Sequence, residues 1–360
     1  MDSYKGFLLS LLSITSTLGT VHGIPTPQEQ GKFNNSTTRI QQSNAPWNLQ
    51  RISSRNTVTP VNNNVTALAY TYQYDEAATG AGVDVYIVDS GIDTKHPDFE
   101  GRAKMLFTIE PDQELDGGGH GTFVAGVVGS KSYGVAKKVN LLSVNVNFGG
   151  DQDFVNSTKA INAVLANHNE RRNQKDFKGS VMNLSWGFQR QLVDASRDAG
   201  FSGFDNKTIG ELRSAIQRAS EAGVHITIAP GNDGKDACDD YPAMFVQDIP
   251  SLITVGNSDI TDTRAKNSDF GRCVDIHAPG SNVTSTWLLT GGFPGVRVDS
   301  GTSFAAPAAA GLIAGELIRQ PGLMMKPREM KQHILSMGIR GAVKDAERGG
   351  NILLNTGLMG

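Results

Sequence analysis

The sequence has few cysteines, few aromatic residues and no long run of charge of either sign. Its 360 residues include two cysteines and 7% aromatic residues, and the formal net charge is −3. A weakly charged chain without basic clusters argues against a nucleic-acid groove and against a basic membrane-binding surface. The length and the 41 glycines indicate a globular chain of one or two domains with many turns.

Long apolar runs are also scarce, and the one near the N-terminus has the layout of a secretory signal peptide. Lys5 precedes the apolar segment 7–21 (FLLSLLSITSTLGTV), and small residues follow near Gly23. The segment is too short and too rich in serine and threonine to span a bilayer. A short buried helix is the alternative. We expect residues 1–23 to be a signal peptide of a secreted protein that has no membrane partner.

Residues 24–44 are rich in Gln, Asn, Ser, Thr and Pro, which predicts a short mobile leader, and residues 45–360 read as one globular domain. Several N-x-S/T sequons suit a secreted glycoprotein: Asn34, Asn35, Asn64, Asn156, Asn206 and Asn282. In an oxidising compartment Cys238 and Cys273 are a candidate disulfide, and two buried free thiols are the alternative.

Short β-branched runs alternate with helical patterns along the globular part. Runs that read as strands occupy residues 82–89, 139–146, 179–186, 223–231, 251–257 and 273–280. A T-x-x-E sequence at Thr208–Glu211 predicts a helix capped by Thr208, and further helices are expected from about Ser303 to Arg319 and over 326–338. This alternation predicts an α/β fold, with a mostly parallel central sheet covered by helices on both faces. Reactive groups gather at the carboxyl ends of such strands.

Four polar residues stand where such groups are expected. Asp89 follows a strand, His120 lies among glycines before an apolar run, Asn232 follows another strand, and Ser303 precedes an alanine-rich helix. Each has an ordinary structural alternative, since aspartate and asparagine form turns and a serine before a helix is usually its cap.

The segments around these residues, VDSGID, GGGHGTFVAG, IAPGN and SGTSFAAP, resemble in order the four signature segments of the subtilases, the subtilisin-like serine proteases. The similarity runs from about Asn44 to the C-terminus, and NAPWNLQRISS, YGVAKK and NILLN are similar to the proteinase K branch of secreted fungal enzymes. The resemblance implies the subtilisin-like three-layer sandwich. It also implies a serine endopeptidase of broad specificity, which we expect to act as a monomer on polypeptide substrates.

By that resemblance Ser303 is the nucleophile, His120 the general base and Asp89 the group that orients the imidazole. Asn232 would donate its side-chain amide to the oxyanion, together with the Ser303 amide. A substrate strand would lie between two further segments, and the residues implied in binding it are Phe148, Gly149, Gly150, Ser185, Trp186, Gly187, Ala229, Pro230 and Gly231. Trp186 stands where the family more often has a smaller apolar residue, so it either packs in the core or reshapes the pocket.

The chemistry needs no cofactor, but the resemblance also implies a structural calcium site. The matching positions are the carbonyls of Pro250 and Leu252 and the carboxylate of Asp275. Oxygen ligands suit calcium, and an ordinary aspartate at a strand end is the alternative. Cys238 and Cys273 match a bridged pair in some relatives.

Three departures from the family pattern leave a second hypothesis open. Phe123 and Ala308 stand where the family usually has histidines, and the leader is too short for the usual inhibitory propeptide. Neither histidine belongs to the triad, so we expect altered tuning of the site. The alternative to an endopeptidase is a secreted, non-catalytic binding or elicitor protein on the same scaffold. A lipase-type hydrolase is rejected, because Ser303 lies in G-T-S-F-A and not in G-x-S-x-G.

Overall fold

A nine-stranded sheet forms the centre of the molecule. The computed structural model describes residues 38–110, 116–146, 148, 152–200, 202–291 and 293–358, and these belong to one compact unit, Thr37–Gly360. The strands are β1 (Arg39–Ala45), β2 (Tyr70–Asp75), β3 (Asp84–Asp89), β4 (Ala103–Thr108), β5 (Asn140–Asn145), β6 (Ser180–Leu184), β7 (Phe188–Gln189), β8 (His225–Ile228), β9 (Asp240–Tyr241), β10 (Ile253–Ser258), β11 (Ile276–Pro279), β12 (Val283–Thr290), β13 (Phe293–Asp299), β14 (Ile339–Arg340) and β15 (Ile352–Leu353).

The helices lie between these strands in the chain and cover the sheet. They are α1 (Trp47–Ile52), α2 (His120–Gly129), α3 (Asp153–Arg171), α4 (Arg190–Asp198), α5 (Asn206–Glu221), α6 (Thr302–Arg319) and α7 (Pro327–Met337). None of the helices within the described ranges has the length and apolarity required of a membrane span.

The strand order is β14-β15-β11-β10-β8-β6-β3-β5-β4, and every described pairing in it is parallel except β14 with β15. The six strands expected from the sequence are six neighbours in this sheet, β11 to β5. The mostly parallel α/β sandwich predicted from the sequence is therefore confirmed.

Alternation along β3 shows why helices cover both faces. Val85 and Ile87 pack into the apolar cluster that contains α2 and α6, while Tyr86 and Val88 pack into the cluster that contains α3 and α5. Successive side chains of a strand point to opposite faces, so a strand that is apolar throughout needs a covering layer on each side. α6 lies beneath the sheet and is buried from Phe304 to Leu317.

Two details differ from the expectations. β1 pairs with β2 in antiparallel register, so residues 39–44 belong to the folded unit, although they were expected to be part of a mobile leader. The rest of the expected leader and the expected signal peptide fall within residues 1–37, which lie outside the described residues. α5 begins before Thr208, because the carboxylate of Asp205 accepts the Thr208 amide at 2.7 Å and caps the helix instead.

Candidate active site

Asp89 and His120 form a short contact at the carboxyl edge of the sheet. Asp89 is the last residue of β3 and His120 is the first residue of α2. The Asp89 Oδ1 atom accepts the His120 Nδ1 proton at 2.7 Å and also accepts the Ser90 amide at 2.8 Å. The Asp89 side chain is 3% exposed and the His120 side chain 38%. The carboxylate is thus held in the protein while the imidazole remains accessible, and Nε2 is the nitrogen left to accept a proton.

This contact depends on a close approach between α2 and the loop after β3. A Cβ atom placed on Gly121 would lie 2.0 Å from the carbonyl oxygen of Gly91. Since no side chain fits there, glycine allows the first turn of α2 to reach Asp89. Gly121 therefore has a geometric role in bringing His120 next to Asp89.

Acidic neighbours raise the pKa of His120 above its usual value. Burial of the ring opposes the charged imidazolium, but the carboxylates of Asp89, Asp116 and Asp299 outweigh that effect. The geometry and the charges together favour an imidazole that takes up a proton readily and is stabilised once it has done so.

Ser303 lies in the first turn of α6, and a reciprocal pair of hydrogen bonds joins it to Ser185. Its Oγ donates to the Ser185 carbonyl at 3.1 Å, and the Ser185 Oγ donates to the Ser303 carbonyl at 2.7 Å. Pro307 explains the second bond, because it has no N–H to offer the carbonyl four residues earlier.

A buried polar chain continues from Ser185 into the sheet. Asn183 donates to the Ser185 Oγ at 2.8 Å and accepts the Thr227 hydroxyl at 2.9 Å. Asn183 and Thr227 are completely buried in β6 and β8. The turn that holds Ser303 therefore rests on a hydrogen-bonded network that starts in the central strands.

Asn232 is exposed, and Thr302, the residue before Ser303, fixes the orientation of its side chain. Its Oδ1 accepts the Thr302 amide at 2.9 Å and the Thr302 hydroxyl at 3.1 Å. With the oxygen held, the Nδ2 group remains as the donor, beside a helix terminus whose first amides have no intrahelical partner.

The segments expected to flank the substrate enclose a cavity of about 400 Å³. Gly187, Gly231, Asn232 and Asp240 line it, together with Leu192 and Phe204. Phe148 packs against Trp186 with ring centroids 5.3 Å apart, and Gly149 and Gly150 lie outside the described residues. Ala229 and Pro230 are buried behind Gly231.

Trp186 packs in the core. It is 9% exposed, its indole N–H donates to the Val88 carbonyl at 2.9 Å, and its ring contacts Phe188. Phe123, which stands where the family usually has a histidine, packs against Phe304 with tilted rings whose centroids are 4.3 Å apart, and it is fully buried. Both aromatic residues thus contribute to the packing next to Ser185 and Ser303.

Three charged residues next to the cavity were missed by the sequence reasoning. Asp240 and Asp269 lie against Gly231, where a Cβ atom would be 2.6 Å and 2.3 Å from their respective Oδ2 atoms. Lys235 Nζ lies 2.9 Å from Asp240 Oδ1. Burial raises the pKa of both carboxyl groups. The sequence pattern that could have indicated these residues is the high density of acidic residues after Asn232. That pattern is equally typical of a solvent-exposed turn.

The remaining predicted positions lie away from this cleft. Cys238 and Cys273 form the disulfide expected from the sequence. Pro250 is exposed, and the Leu252 carbonyl and the Asp275 carboxylate both contact Lys331.

Comparisons with known proteins agree with this geometry. The model described as "Subtilase family" matches residues 80–350. The chain is 39% identical over 319 residues to the subtilisin-like serine protease pepC of Aspergillus niger, covering 84% of this chain and 54% of that protein. It is 36% identical over 319 residues to the subtilisin-like serine protease Pen c 2 of Penicillium citrinum, covering 84% of this chain and 63% of that one. The chain therefore spans less than two thirds of these relatives.

A solved structure is similar over its full length. The crystal structure of a cold adapted subtilisin-like serine proteinase superposes with a TM-score of 0.68 and 31% identity, covering 87% of this chain and 99% of that one. The matched family segment contains Asp89, His120, Asn232 and Ser303. The chain belongs to the subtilase family.

Proposed function

We propose that the protein is a serine endopeptidase that cleaves polypeptides through an acyl-enzyme on Ser303. The observation that carries the proposal is the 2.7 Å contact between Asp89 and an accessible His120. This contact lies at the same sheet edge as the α6 N-terminus, where Ser303 and Asn232 stand side by side. Members of this family act on polypeptides, so the substrate class follows from the same site.

In the first half-reaction, the Ser303 Oγ attacks the carbonyl carbon of the peptide bond. Its proton passes to Nε2 of His120, so the hydroxyl must first turn from the Ser185 carbonyl towards the imidazole. Asp89 stabilises the imidazolium, and the Asn232 amide and the Ser303 N–H stabilise the oxyanion. His120 then gives its proton to the leaving amine. In the second half-reaction, water attacks the acyl carbon and gives a proton to His120. His120 passes a proton to the Ser303 Oγ as the ester bond breaks, which releases the carboxylic acid and free Ser303.

Broad specificity fits a cleft that binds main chain. The segments at Gly187 and Gly231 present backbone on both sides of the cavity, and an extended peptide adding to such edges tolerates many side chains. We also propose that the protein is secreted as a monomer. The disulfide suits an oxidising compartment, and the sequons at Asn64, Asn206 and Asn282 are exposed.

A fluorophosphonate probe tests the nucleophile on the full chain. We expect stoichiometric labelling of Ser303, no labelling of Ser303→Ala, and loss of casein hydrolysis in that variant. Ser300→Ala is the matched control, because Ser300 is exposed and its Oγ accepts the Asn282 amide at 2.8 Å. Unlabelled Ser303 together with inactive protein would favour the non-catalytic binding role.

The oxyanion role of Asn232 needs a variant that keeps the fold. Asn232→Asp retains an oxygen for the Thr302 contacts but loses the amide donor, so we expect kcat to fall with little change in KM. The expected loss is about 10²–10³-fold, the range known for removing one such donor from a subtilisin-type site. Unchanged kcat in both Asn232→Asp and Asn232→Ala would remove this residue from the mechanism.

A further inference from the structure

A buried lysine occupies the place that the family resemblance assigns to calcium. The Nζ atom of Lys331 lies 2.7 Å from the Leu252 carbonyl oxygen and 2.7 Å from Asp275 Oδ1. These two oxygens belong to the expected set of calcium donors. The second Asp275 oxygen accepts the Thr254 amide at 2.9 Å, so the carboxylate has a partner on each side.

The position of Lys331 on α7 directs its side chain inward. The buried residues of this helix are Pro327, Met330, Lys331 and Ile334, which form one stripe at helical spacing. Lysine is rarely buried unless its charge is paired, and here the pair is with Asp275. Turning Lys331 to solvent by rotating α7 would also expose Met330 and Ile334, so the helix packing fixes the ammonium at this point.

The ammonium and a calcium ion exclude each other at this site. Calcium binds oxygen ligands at about 2.3–2.6 Å, so an ion on the Leu252 and Asp275 oxygens would coincide with Nζ. Charge leads to the same conclusion, because Lys331 already neutralises Asp275. A divalent ion beside it would leave an uncompensated positive charge in a buried place. The residues present therefore do not fit calcium.

We propose that the Lys331 ammonium replaces calcium as an internal cation, so that the fold needs no metal at this position. Leu252 precedes β10 and Asp275 precedes β11. The lysine thus ties α7 to the starts of two neighbouring parallel strands, as an ion bound to both would tie them to each other. The cross-link is supplied by the chain and does not depend on calcium in the medium.

Thermal unfolding of the full chain tests this, in a Ser303→Ala background that prevents self-cleavage. We expect calcium bound at Asp275 to make no contribution to Tm. The parent should therefore have the same Tm in excess EDTA and in excess calcium chloride. If calcium raises the Tm of the parent through another site, Asp275→Asn should leave that increase unchanged. Lys331→Met should lose several degrees in EDTA, because the Asp275 carboxylate and the Leu252 carbonyl lose their partner. Calcium chloride should restore part of that loss, and adding Asp275→Asn should remove the restoration.

Lys326→Met is the matched control, since Lys326 is an exposed lysine immediately before the same helix. It should change Tm little and show no calcium response. A parent whose Tm rises with calcium through Asp275 would overturn the proposal. So would a Lys331→Met variant as stable as Lys326→Met, or one that calcium fails to stabilise, because Lys331 would then not occupy a cation site.

Discussion

Asp299 lies at the end of β13, where its carboxylate adds to the negative potential around His120. It accepts the Ser300 amide at 2.8 Å and lies 3.3 Å from the Arg297 guanidinium. Because it is partly exposed, it can be changed without disturbing the buried network, whereas Asp116 accepts several backbone amides of the His120 loop. Asp299 is therefore the residue through which the pKa of His120 can be adjusted.

We expect Asp299→Asn to move the acid limb of kcat/KM to lower pH. The general base must be neutral, so activity rises as pH passes upward through the raised pKa of His120. Removing one negative neighbour lowers that pKa, because Asp299 is one of the carboxylates that raise it. Asp198→Asn, an exposed carboxylate on α4, should leave the profile unchanged. An identical acid limb in Asp299→Asn would contradict the electrostatic account.

Asp233 and Asp240 are charged residues that line the cavity, and Asp240 is the buried one of the two. Burial, opposed by Lys235 and assisted by Asp269, raises the pKa of Asp240 to about 6. Asp233, Asp240 and Asp269 together carry more negative charge than the single Lys235 cancels. Above the pKa of Asp240 the cavity is therefore negative, and below that pKa it is closer to neutral.

This charge predicts a pH-dependent preference for the side chain before the scissile bond. For peptides with lysine or norleucine at that position, the ratio of kcat/KM values should rise in favour of lysine as pH increases through about 6. In Asp240→Asn the ratio should be lower and less dependent on pH. Asp239→Asn removes an exposed carboxylate paired with Arg190 outside the cavity and should behave as the parent. Equal ratios in parent and Asp240→Asn would remove Asp240 from specificity.

The first turn of α6 is an element whose stability is shared with a neighbouring strand. Pro307 leaves the Ser303 carbonyl without its helical partner, and the Ser185 hydroxyl supplies one at 2.7 Å. A helix with alanine at position 307 would form that bond itself. The roles of Ser185 and Pro307 are thus coupled, although both residues also have ordinary packing contacts.

A double-mutant cycle in the Ser303→Ala background measures this coupling. We expect Ser185→Ala to lower the free energy of unfolding by about 1–3 kcal/mol, because a buried carbonyl is left unpaired. In Pro307→Ala the same change should cost less, since the new amide satisfies that carbonyl. Chemical denaturation gives the four values, and Ser300→Ala serves as a neutral serine control. Equal losses in both backgrounds would show that the hydrogen bond and the proline act independently.

At the scale of helices and strands, the elements that can be predicted from the sequence are those that local residue patterns determine. The six apolar runs are central strands because their residues suit burial on both faces, and the helices α6 and α7 lie where their spacing indicates. The β12–β13 hairpin was not predicted. Its strand β13 is mostly exposed, and the hairpin is held by distant contacts, including the Trp287 ring against Gly119.

The site shows the same division. Asp89, His120, Asn232 and Ser303 could be proposed from the sequence because each stands in a recognisable segment after a strand or before a helix. The contact of Lys331 with Asp275, and the placement of Asp240 beside Gly231, depend on how distant segments pack. The sequence around a single charged residue in a helix or a turn does not indicate that the residue has such a distant partner.

At the scale of the whole molecule, the disulfide closes a loop that contributes Asp240 to the lining of the cavity. Cys238 and Cys273 are 35 residues apart in the chain, and Asp240, Leu252 and Asp269 lie between them. The bridge restricts the unfolded chain, which contributes about 3–4 kcal/mol to the free energy of unfolding for a loop of this length. Its removal is expected to act on stability first, because both cysteines lie in a small apolar cluster that includes neither Ser303 nor His120.

We therefore expect the double variant Cys238→Ala, Cys273→Ala to unfold at a Tm lower by several degrees, while kcat/KM at room temperature changes less than twofold. The ratio of rates on lysine and norleucine peptides reports on the position of Asp240, and it should also change less than twofold if the folded loop keeps its shape. Reducing the parent with dithiothreitol should reproduce the stability loss, and the double variant should not respond to the reductant. A large drop in kcat/KM at a temperature where the variant is fully folded would instead mean that the bridge positions the cavity, and that its contribution lies in the native state.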